Sequence, residues 1–197
     1  TTPAADLSGL TTTSVTAAFD GNVTFTGTLG TAVVTVGNDF TMTTAAAKAA
    51  AGGNINQAGG GNGKLAVTLN AATDANEDLT SINGDAINSV TVADSLTFTG
   101  TLHGTVATTV ANGVTLTTTA AKATGKVINE ADATNATTAI TALHSTVSAN
   151  LGNISTNSLT AAATVATDGA VNFLGTLGKA VVTVGNDFTM TTAAAKA

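Results

Sequence analysis

The 197-residue chain has no cysteine, tryptophan, tyrosine or arginine, and it has a single proline. Without cysteine it can form neither a disulfide framework nor a thiolate metal site. Only 9% of its residues are charged, against roughly 25% in a typical globular domain. We therefore expect a surface built mainly from threonine, serine, asparagine and glycine.

The few charges are mostly acidic, and the formal net charge is −6. Binding to nucleic acid requires clustered lysine and arginine side chains, so the composition argues against a nucleic-acid partner. Threonine, asparagine and glycine interrupt every apolar run before it reaches the length of a membrane span, so no transmembrane segment is expected.

What the chain does contain is a repeat of 72 residues. Its openings, "DLSGL", "DLTSI" and "NLGNI", begin at Asp6, Asp78 and Asn150. Each opening is followed by "FTGTL" or "FLGTL", which begin at Phe25, Phe98 and Phe173. Self-similarity at a fixed period indicates a repeat architecture. We predict a lead-in at 1–5, repeats at 6–77 and 78–149, and a partial repeat at 150–197, all in one continuous solenoid.

One 23-residue stretch occurs twice, from Gly27 and from Gly175, and differs only at Thr31 against Lys179. The middle copy, from Gly100, has diverged further. This pattern indicates recent duplication of a unit of about 148 residues rather than unique chemistry. The chain stops inside the second copy, which reads as a cut through a continuing array.

Short runs such as "VVTVGNDFTMTT" and "KLAVTL" alternate apolar residues with threonine, which is typical of strands with one buried face. Asparagine, glycine and aspartate separate these runs, as turns require. We predict an all-β fold: a parallel β-solenoid of about 24 residues per coil, with three coils per repeat. Eight such coils would form a rod on the order of 40 Å long. Repeated β-sandwiches are the alternative.

Alanine-rich segments surround Lys48 and its equivalents Lys122 and Lys196. Alanine has the highest helix propensity, so a helical turn is one interpretation. We favour the other, a tight corner that carries one solvated lysine.

The sequence offers little catalytic chemistry. His103 and His144 have no counterparts in the other repeats, which favours structural roles, and no "GxSxG" motif is present. The glycine-rich segment 51–64 ends in Lys64 followed by Leu65, so it lacks the ending of a phosphate-binding loop. Near-copies present the same surface repeatedly, whereas catalysis needs a unique constellation of groups. We predict no enzymatic activity and no cofactor.

The best local candidates for a metal are Asp74, Glu77 and Asp78 in "TDANED". Calcium requires six to eight oxygen ligands, and so few carboxylates make a weak case for a calcium site. A solvated acidic loop between repeats is the favoured interpretation.

The segments "ADLSGL", "SVTVADSLTFTGTL" and "VTLTTTAAKATGKVI" resemble the β-strand repeats of giant bacterial surface and secreted proteins, namely adhesins, S-layer-like proteins and matrix proteins. The resemblance covers nearly the whole chain. It implies a location outside the cell or on the bacterial surface. Calcium-binding repeat-in-toxin rolls differ, because "GGGNGKLAV" has Lys64 where their repeat needs aspartate.

Repetition suits multivalent binding and self-assembly. We therefore predict a structural protein that forms a rod, filament or surface layer with an adhesive or matrix role. It would associate end to end or laterally. The alternative is ice binding by an outward threonine array, because Thr-x-Thr on a strand places both side chains on one face. The candidate residues are Thr24, Thr26, Thr28, Thr41, Thr43, Thr97, Thr99, Thr101, Thr115 and Thr117.

Overall fold

A computed structural model describes residues 5–6, 17–19, 21–30, 33–50, 55–82, 87–131, 135–141, 149–163, 170–186 and 189–192. These residues form a parallel β-solenoid, so the predicted fold class is confirmed. Every strand pair that joins them is parallel. The β-sandwich alternative is therefore wrong, because sandwiches are built from antiparallel sheets.

The strands are short, and three helical turns accompany them in the described residues. The strands are β1 Ala17–Phe19, β2 Val23–Phe25, β3 Val34–Val36, β4 Thr41–Ala45, β5 Ile55–Gln57, β6 Lys64–Leu69, β7 Ile87–Val92, β8 Leu96–Thr97, β9 Thr108–Val110, β10 Thr115–Thr119, β11 Ile128–Glu130, β12 Thr137–Thr141, β13 Ser158–Ala163, β14 Ala170–Phe173, β15 Val181–Val184 and β16 Thr189–Thr192. The helical turns are α1 Ala46–Ala50, α2 Ala120–Ala123 and a 3₁₀ turn at Leu79–Ser81.

The alternation in the sequence fixes which side chains enter the core. In β6, Leu65, Val67 and Leu69 are buried while Lys64 is exposed. Parallel pairing sets Leu65 against Met42 of the preceding turn, so buried apolar residues stack in columns. Removing these side chains from water supplies the main driving force for the fold.

Most strands that follow one another along the chain lie in different sheets; the exceptions are β6 and β7, both in the six-stranded sheet, and β12 and β13, both in the five-stranded sheet. A six-stranded sheet has the order β11-β9-β7-β6-β4-β2 and forms one wall of the solenoid. Its strands alternate along the chain with those of a three-stranded sheet, β1-β3-β5, and a five-stranded sheet, β15-β13-β12-β10-β8, which form the other wall. The strands of a two-stranded sheet, β14-β16, alternate along the chain with β13 and β15 of the five-stranded sheet. Both walls pack on one hydrophobic core.

Each turn of the solenoid is shorter than the predicted 24 residues. The six-stranded sheet records about six turns at a spacing of about 21 residues. The connections from β3 to β4 and from β9 to β10 are tight because Asp39 and Gly113 adopt left-handed backbone conformations, with φ of 65° and 73°. Such conformations reverse the chain within a few residues.

The shorter turn changes how the repeats stack. Each full repeat contributes six strands, three to each wall, and one further turn separates its last strand from the first strand of the next repeat. A repeat therefore spans seven half-turns, or three and a half turns. Equivalent strands of successive repeats consequently lie on opposite walls: β2 is in the six-stranded sheet, whereas β8 is in the five-stranded sheet.

The alanine-rich corners around Lys48 and Lys122 are helical turns, so the preference for a non-helical corner is wrong there; the corner around Lys196 lies outside the described residues. Helix α2 begins after Thr119, whose hydroxyl accepts a hydrogen bond from the Lys122 amide at 3.4 Å. Ala120 and Ala123 are buried beneath the turn. A helical turn fits here because alanine side chains are small enough to face the core at a corner.

Candidate functional surface

All ten threonines predicted to face outward are exposed or half-buried. Three of them, Thr24, Thr41 and Thr43, lie on the six-stranded sheet. Three others, Thr97, Thr115 and Thr117, lie on the five-stranded sheet, on the other wall. The remaining four, Thr26, Thr28, Thr99 and Thr101, follow β2 and β8.

The outer face of the five-stranded sheet carries hydroxyl groups in register. Its central column pairs Thr97, Thr117, Ala139 and Thr160 in successive turns. Flanking pairs extend the pattern in register. They are Thr115 with Thr137, Thr137 with Ser158, and Thr119 with Thr141. No residue of β8, β10, β12, β13 or β15 carries a charge. This hydroxyl array is uncharged; Ala139 interrupts its central column, and Val181 follows Thr160 where the column ends.

Sequence reasoning missed Thr137, Ser158 and Thr160 as members of this hydroxyl array. The Thr-x-Thr pattern is interrupted in β12 and β13 by alanine and serine, so a search for repeated threonine pairs does not reach them. The signal that could have identified them is their register with Thr115 and Thr117, and this register is known only once the spacing between successive strands is known.

Two shallow grooves lie beside these threonines at related places in repeats 1 and 2. The first, of about 300 Å³, is lined by residues that include Thr24, Thr43, Lys48 and Asn70. The second, of about 290 Å³, is lined by Ser95, Leu96, Thr97, Thr115 and Thr117. Both are open to the surface, and apolar atoms make up at least half of the exposed lining of each.

The three candidate calcium ligands have separate surroundings. Asp74 is fully buried, and its Oδ1 accepts a hydrogen bond from the Ala47 amide at 2.9 Å. Its Oδ2 accepts bonds from the amide and the Nδ2 of Asn70, at 2.7 and 3.1 Å. Asp74 thus joins the loop after β6 to helix α1 of the preceding turn.

Asp78 and Glu77 belong to the backbone bridge between repeats. The Asp78 Oδ1 accepts hydrogen bonds from the amide and hydroxyl of Thr80, and these bonds lower the pKa of Asp78. The Glu77 carbonyl accepts a hydrogen bond from the Thr101 amide at 3.0 Å. Across the described part of the chain, no three His, Asp or Glu side chains come together as a metal site would require.

His103 has a local role in the described structure, whereas His144 lies outside the described residues. The Nδ1 of His103 accepts hydrogen bonds from the amides of Thr105 and Val106, at 3.3 and 3.1 Å. Burial and the nearby charge of Lys126 lower the pKa of His103. This histidine therefore caps a turn in its neutral form.

No family model, no curated protein and no solved structure matches the chain. Among the described residues, no helix is both long and apolar enough to cross a membrane.

Proposed function

We propose that this chain is a segment of an extracellular structural repeat protein that forms a rod, filament or surface layer with an adhesive or matrix role. The observation that carries the proposal is the continuity of the sheets across repeat boundaries. Strand β6 of the first repeat pairs with β7 of the second, and β12 pairs with β13 of the third. Repeats 1 and 2 therefore share the six-stranded sheet, and repeats 2 and 3 share the five-stranded sheet, rather than forming separate globules.

The surface also supports this role. Hydroxyl groups of β8, β10, β12 and β13 face outward in four successive turns, and the described residues bring together no cluster of ionisable groups for metal binding. Many identical weak contacts along one rod add up to strong attachment. The extracellular location is supported by the resemblance to bacterial surface repeats and belongs to the same proposal.

The length of the rod tests the structural part. Proteins with two, four and six repeats should appear by electron microscopy as rods of constant width. Each added repeat should lengthen the rod by about 17 Å, because three and a half turns are stacked at the usual strand spacing. Flexible chains of separate globules would contradict the proposal.

Cell attachment tests the adhesive part. Bacteria that display six repeats should adhere to a matrix-coated surface more strongly than bacteria that display two, at equal display levels, because multivalent contacts accumulate. Equal adhesion at both lengths, with the rod geometry intact, would remove the adhesive role while leaving the structural one.

A second candidate function is ice binding, which the outer face of the five-stranded sheet favours. Its hydroxyl groups repeat roughly every 6.6 Å along a strand and every 4.8 Å between strands, an ordered lattice that is interrupted at Ala139. If the array binds ice, the protein should show thermal hysteresis, and Thr117→Glu should reduce it while Thr91→Glu on the six-stranded sheet should not. Absence of hysteresis in the unmodified protein would eliminate this candidate.

A further inference from the structure

The groove beside helix α1 is built by three neighbouring strands of the six-stranded sheet. Strand β4 lies between β2 and β6, and the groove crosses all three. Thr24 and Thr26 border it on the β2 side. Thr68 and Asn70 border it on the β6 side, so described residues enclose it from both directions. Its volume of about 300 Å³ is at the lower end of the range for small-molecule sites.

Lys48 of helix α1 brings a positive charge to this groove. Of the described residues that line it, Lys48 alone is ionisable. Its side chain is half-buried, and its ammonium group forms no hydrogen bond or ion pair with the described residues. The equivalent Lys122 of the second repeat donates a hydrogen bond to the Thr101 hydroxyl at 3.4 Å. The same corner thus has a bonded lysine in one repeat and, in the other, an ammonium group that a ligand can reach.

The buried carboxylate of Asp74 lies near this corner but is already bonded. It accepts hydrogen bonds from the amides of Ala47 and Asn70 and from the Nδ2 of Asn70. Asp74 is not among the described residues that line the groove. Because the Nδ2 of Asn70 donates to Asp74, its Oδ1 is left as an acceptor for a ligand hydroxyl.

The rest of the lining combines hydroxyl groups with apolar surface. Thr24, Thr43 and Thr68 contribute hydroxyls, which can both donate and accept hydrogen bonds. Most of the exposed lining is apolar, and Phe25 and Ala45 are part of it. A sugar ring has the matching chemistry, because it presents hydroxyls at its rim and C–H groups on its faces. One ammonium group suits one carboxylate, whereas a nucleic acid requires clustered cations.

We propose that this groove binds one carboxylate-bearing sugar unit of an acidic polysaccharide. The carboxylate pairs with the Lys48 ammonium, the sugar hydroxyls bond with Thr43 and with the Oδ1 of Asn70, and a C–H face packs on the apolar lining. This inference rests on the adhesive part of the proposed function and deepens it by naming the class of ligand. Binding to the purified protein is measured apart from cell adhesion and rod length. Failure to bind therefore overturns this inference alone.

A matched pair of ligands tests the role of the charge. The probe is a trisaccharide of glucuronic acid, and its control is the same trisaccharide with every carboxylate converted to a methyl ester. By calorimetry, the acid should bind with a Kd below about 1 mM. The ester should bind at least about tenfold more weakly, because it keeps the rings and hydroxyls but has no charge to pair with Lys48. Equal binding of acid and ester would overturn the inference.

Two pairs of variants test the location. Lys48→Met keeps most of the side-chain length and removes the charge, so it should weaken binding at least about tenfold. Lys122→Met is its control and should leave the affinity unchanged. Thr43→Val keeps the side-chain shape and should weaken binding about two- to tenfold. Its control is Thr91→Val, on the same sheet but outside the groove. Equal losses within either pair, in variants that unfold at the same temperature as the unmodified protein, would contradict the proposed site.

Selectivity for a sugar is tested with a peptide of three glutamates and with acetate. Both carry carboxylates without sugar rings, so each should bind at least about tenfold more weakly than the trisaccharide. Equal binding of either would mean that the groove only attracts anions, and the inference would be wrong. In nuclear magnetic resonance spectra, the trisaccharide should shift the amide signals of Thr43, Lys48 and Asn70. Shifts confined to the five-stranded sheet would also overturn the inference.

Discussion

The carboxylate of Asp74 connects two turns of the solenoid. It is fully buried and accepts three hydrogen bonds, two of them from the backbone amides of Ala47 and Asn70. Helix α1 is too short to be stable by itself, so such anchors decide whether the corner forms. Asp74, which is a weak candidate for a metal ligand in the sequence, thus accepts hydrogen bonds that hold two turns of the solenoid together.

Replacing this acceptor should destabilise the first repeat. Asp74→Asn preserves the shape of the side chain but removes one acceptor oxygen, which should lower the free energy of unfolding by about 1–3 kcal/mol. The control Asp94→Asn, at an exposed turn, should change it by less than about 0.5 kcal/mol. Chemical denaturation compares the two, and equal effects would contradict the role assigned to Asp74.

His103 should make the stability of the second repeat depend on pH. Its pKa is lowered in the folded state, so unfolding takes up a proton once the pH drops below the ordinary histidine pKa of about 6.5. The stabilisation is complete above that pH and is lost as the pH falls through the lowered pKa. Protonation also removes the Nδ1 acceptor for the amides of Thr105 and Val106.

The measurement is the free energy of unfolding between pH 7 and pH 4.5 in a His144→Gln background, with and without His103→Gln. The background removes the other histidine. We expect stability to fall below about pH 6.5 more steeply when His103 is present. Parallel curves for the two proteins would show that His103 does not contribute.

At the scale of single elements, the "GTL" motif marks where each repeat joins the one before. Gly27, Gly100 and Gly175 each lie against a backbone carbonyl of the preceding turn, from Ala5, Glu77 and Ala149 respectively. A Cβ atom at any of these glycines would overlap that carbonyl oxygen. The motif thus recurs in all three repeats because the bridge between segments leaves no room for a side chain.

This close approach predicts unequal effects of two glycine substitutions. Gly100→Ala should destabilise the protein by about 1–3 kcal/mol, because the carbonyl of Glu77 would have to move and its hydrogen bond with Thr101 would weaken. Gly104→Ala, where nothing lies within 4 Å of the added Cβ, should be neutral or stabilising by up to about 1 kcal/mol. Thermal unfolding of both variants tests the difference.

The sequence was sufficient to identify the strands with clear alternation, but not short strands such as β5 and β11 or the length of each solenoid turn. Alternation in "KLAVTL" identified the buried Leu65 and Val67, since side-chain period alone sets the faces of a strand. Dividing 72 residues into three equal coils was wrong, because nothing in the local pattern shows that the connection from β6 to β7 makes an extra half-turn. That half-turn results from pairing between repeats, which is a long-range property.

The same half-turn separates the threonine candidates. Thr24 and Thr97 are equivalent in sequence, yet they lie on different walls. Conversely, the charge-free array of β10, β12 and β13 combines strands from two repeats. Sequence equivalence therefore identifies side chains that face outward, but it does not identify which of them share a surface.

At the scale of the whole molecule, two repeats make the structural period. Two repeats span seven full turns, which return equivalent strands to the same wall, whereas one repeat places them on the opposite wall. The near-identical stretches at Gly27 and Gly175 are separated by two repeats, and the divergent copy at Gly100 lies between them. Duplication of the two-repeat unit therefore preserves the strand pairing between repeats and keeps each outward face on the same wall.

The alternation of walls can be tested directly with cysteine pairs. Thr68 and Thr91 are paired across the boundary between repeats 1 and 2, so the double substitution Thr68→Cys/Thr91→Cys should form a disulfide readily. Three equal coils per repeat would instead stack β7 on β5, so Asn56→Cys/Thr91→Cys is the matched control and should remain reduced. Mass spectrometry after mild oxidation distinguishes the two pairs. Cross-linking of the control in preference to the first pair would mean that equivalent strands share a wall and that the structural period is one repeat.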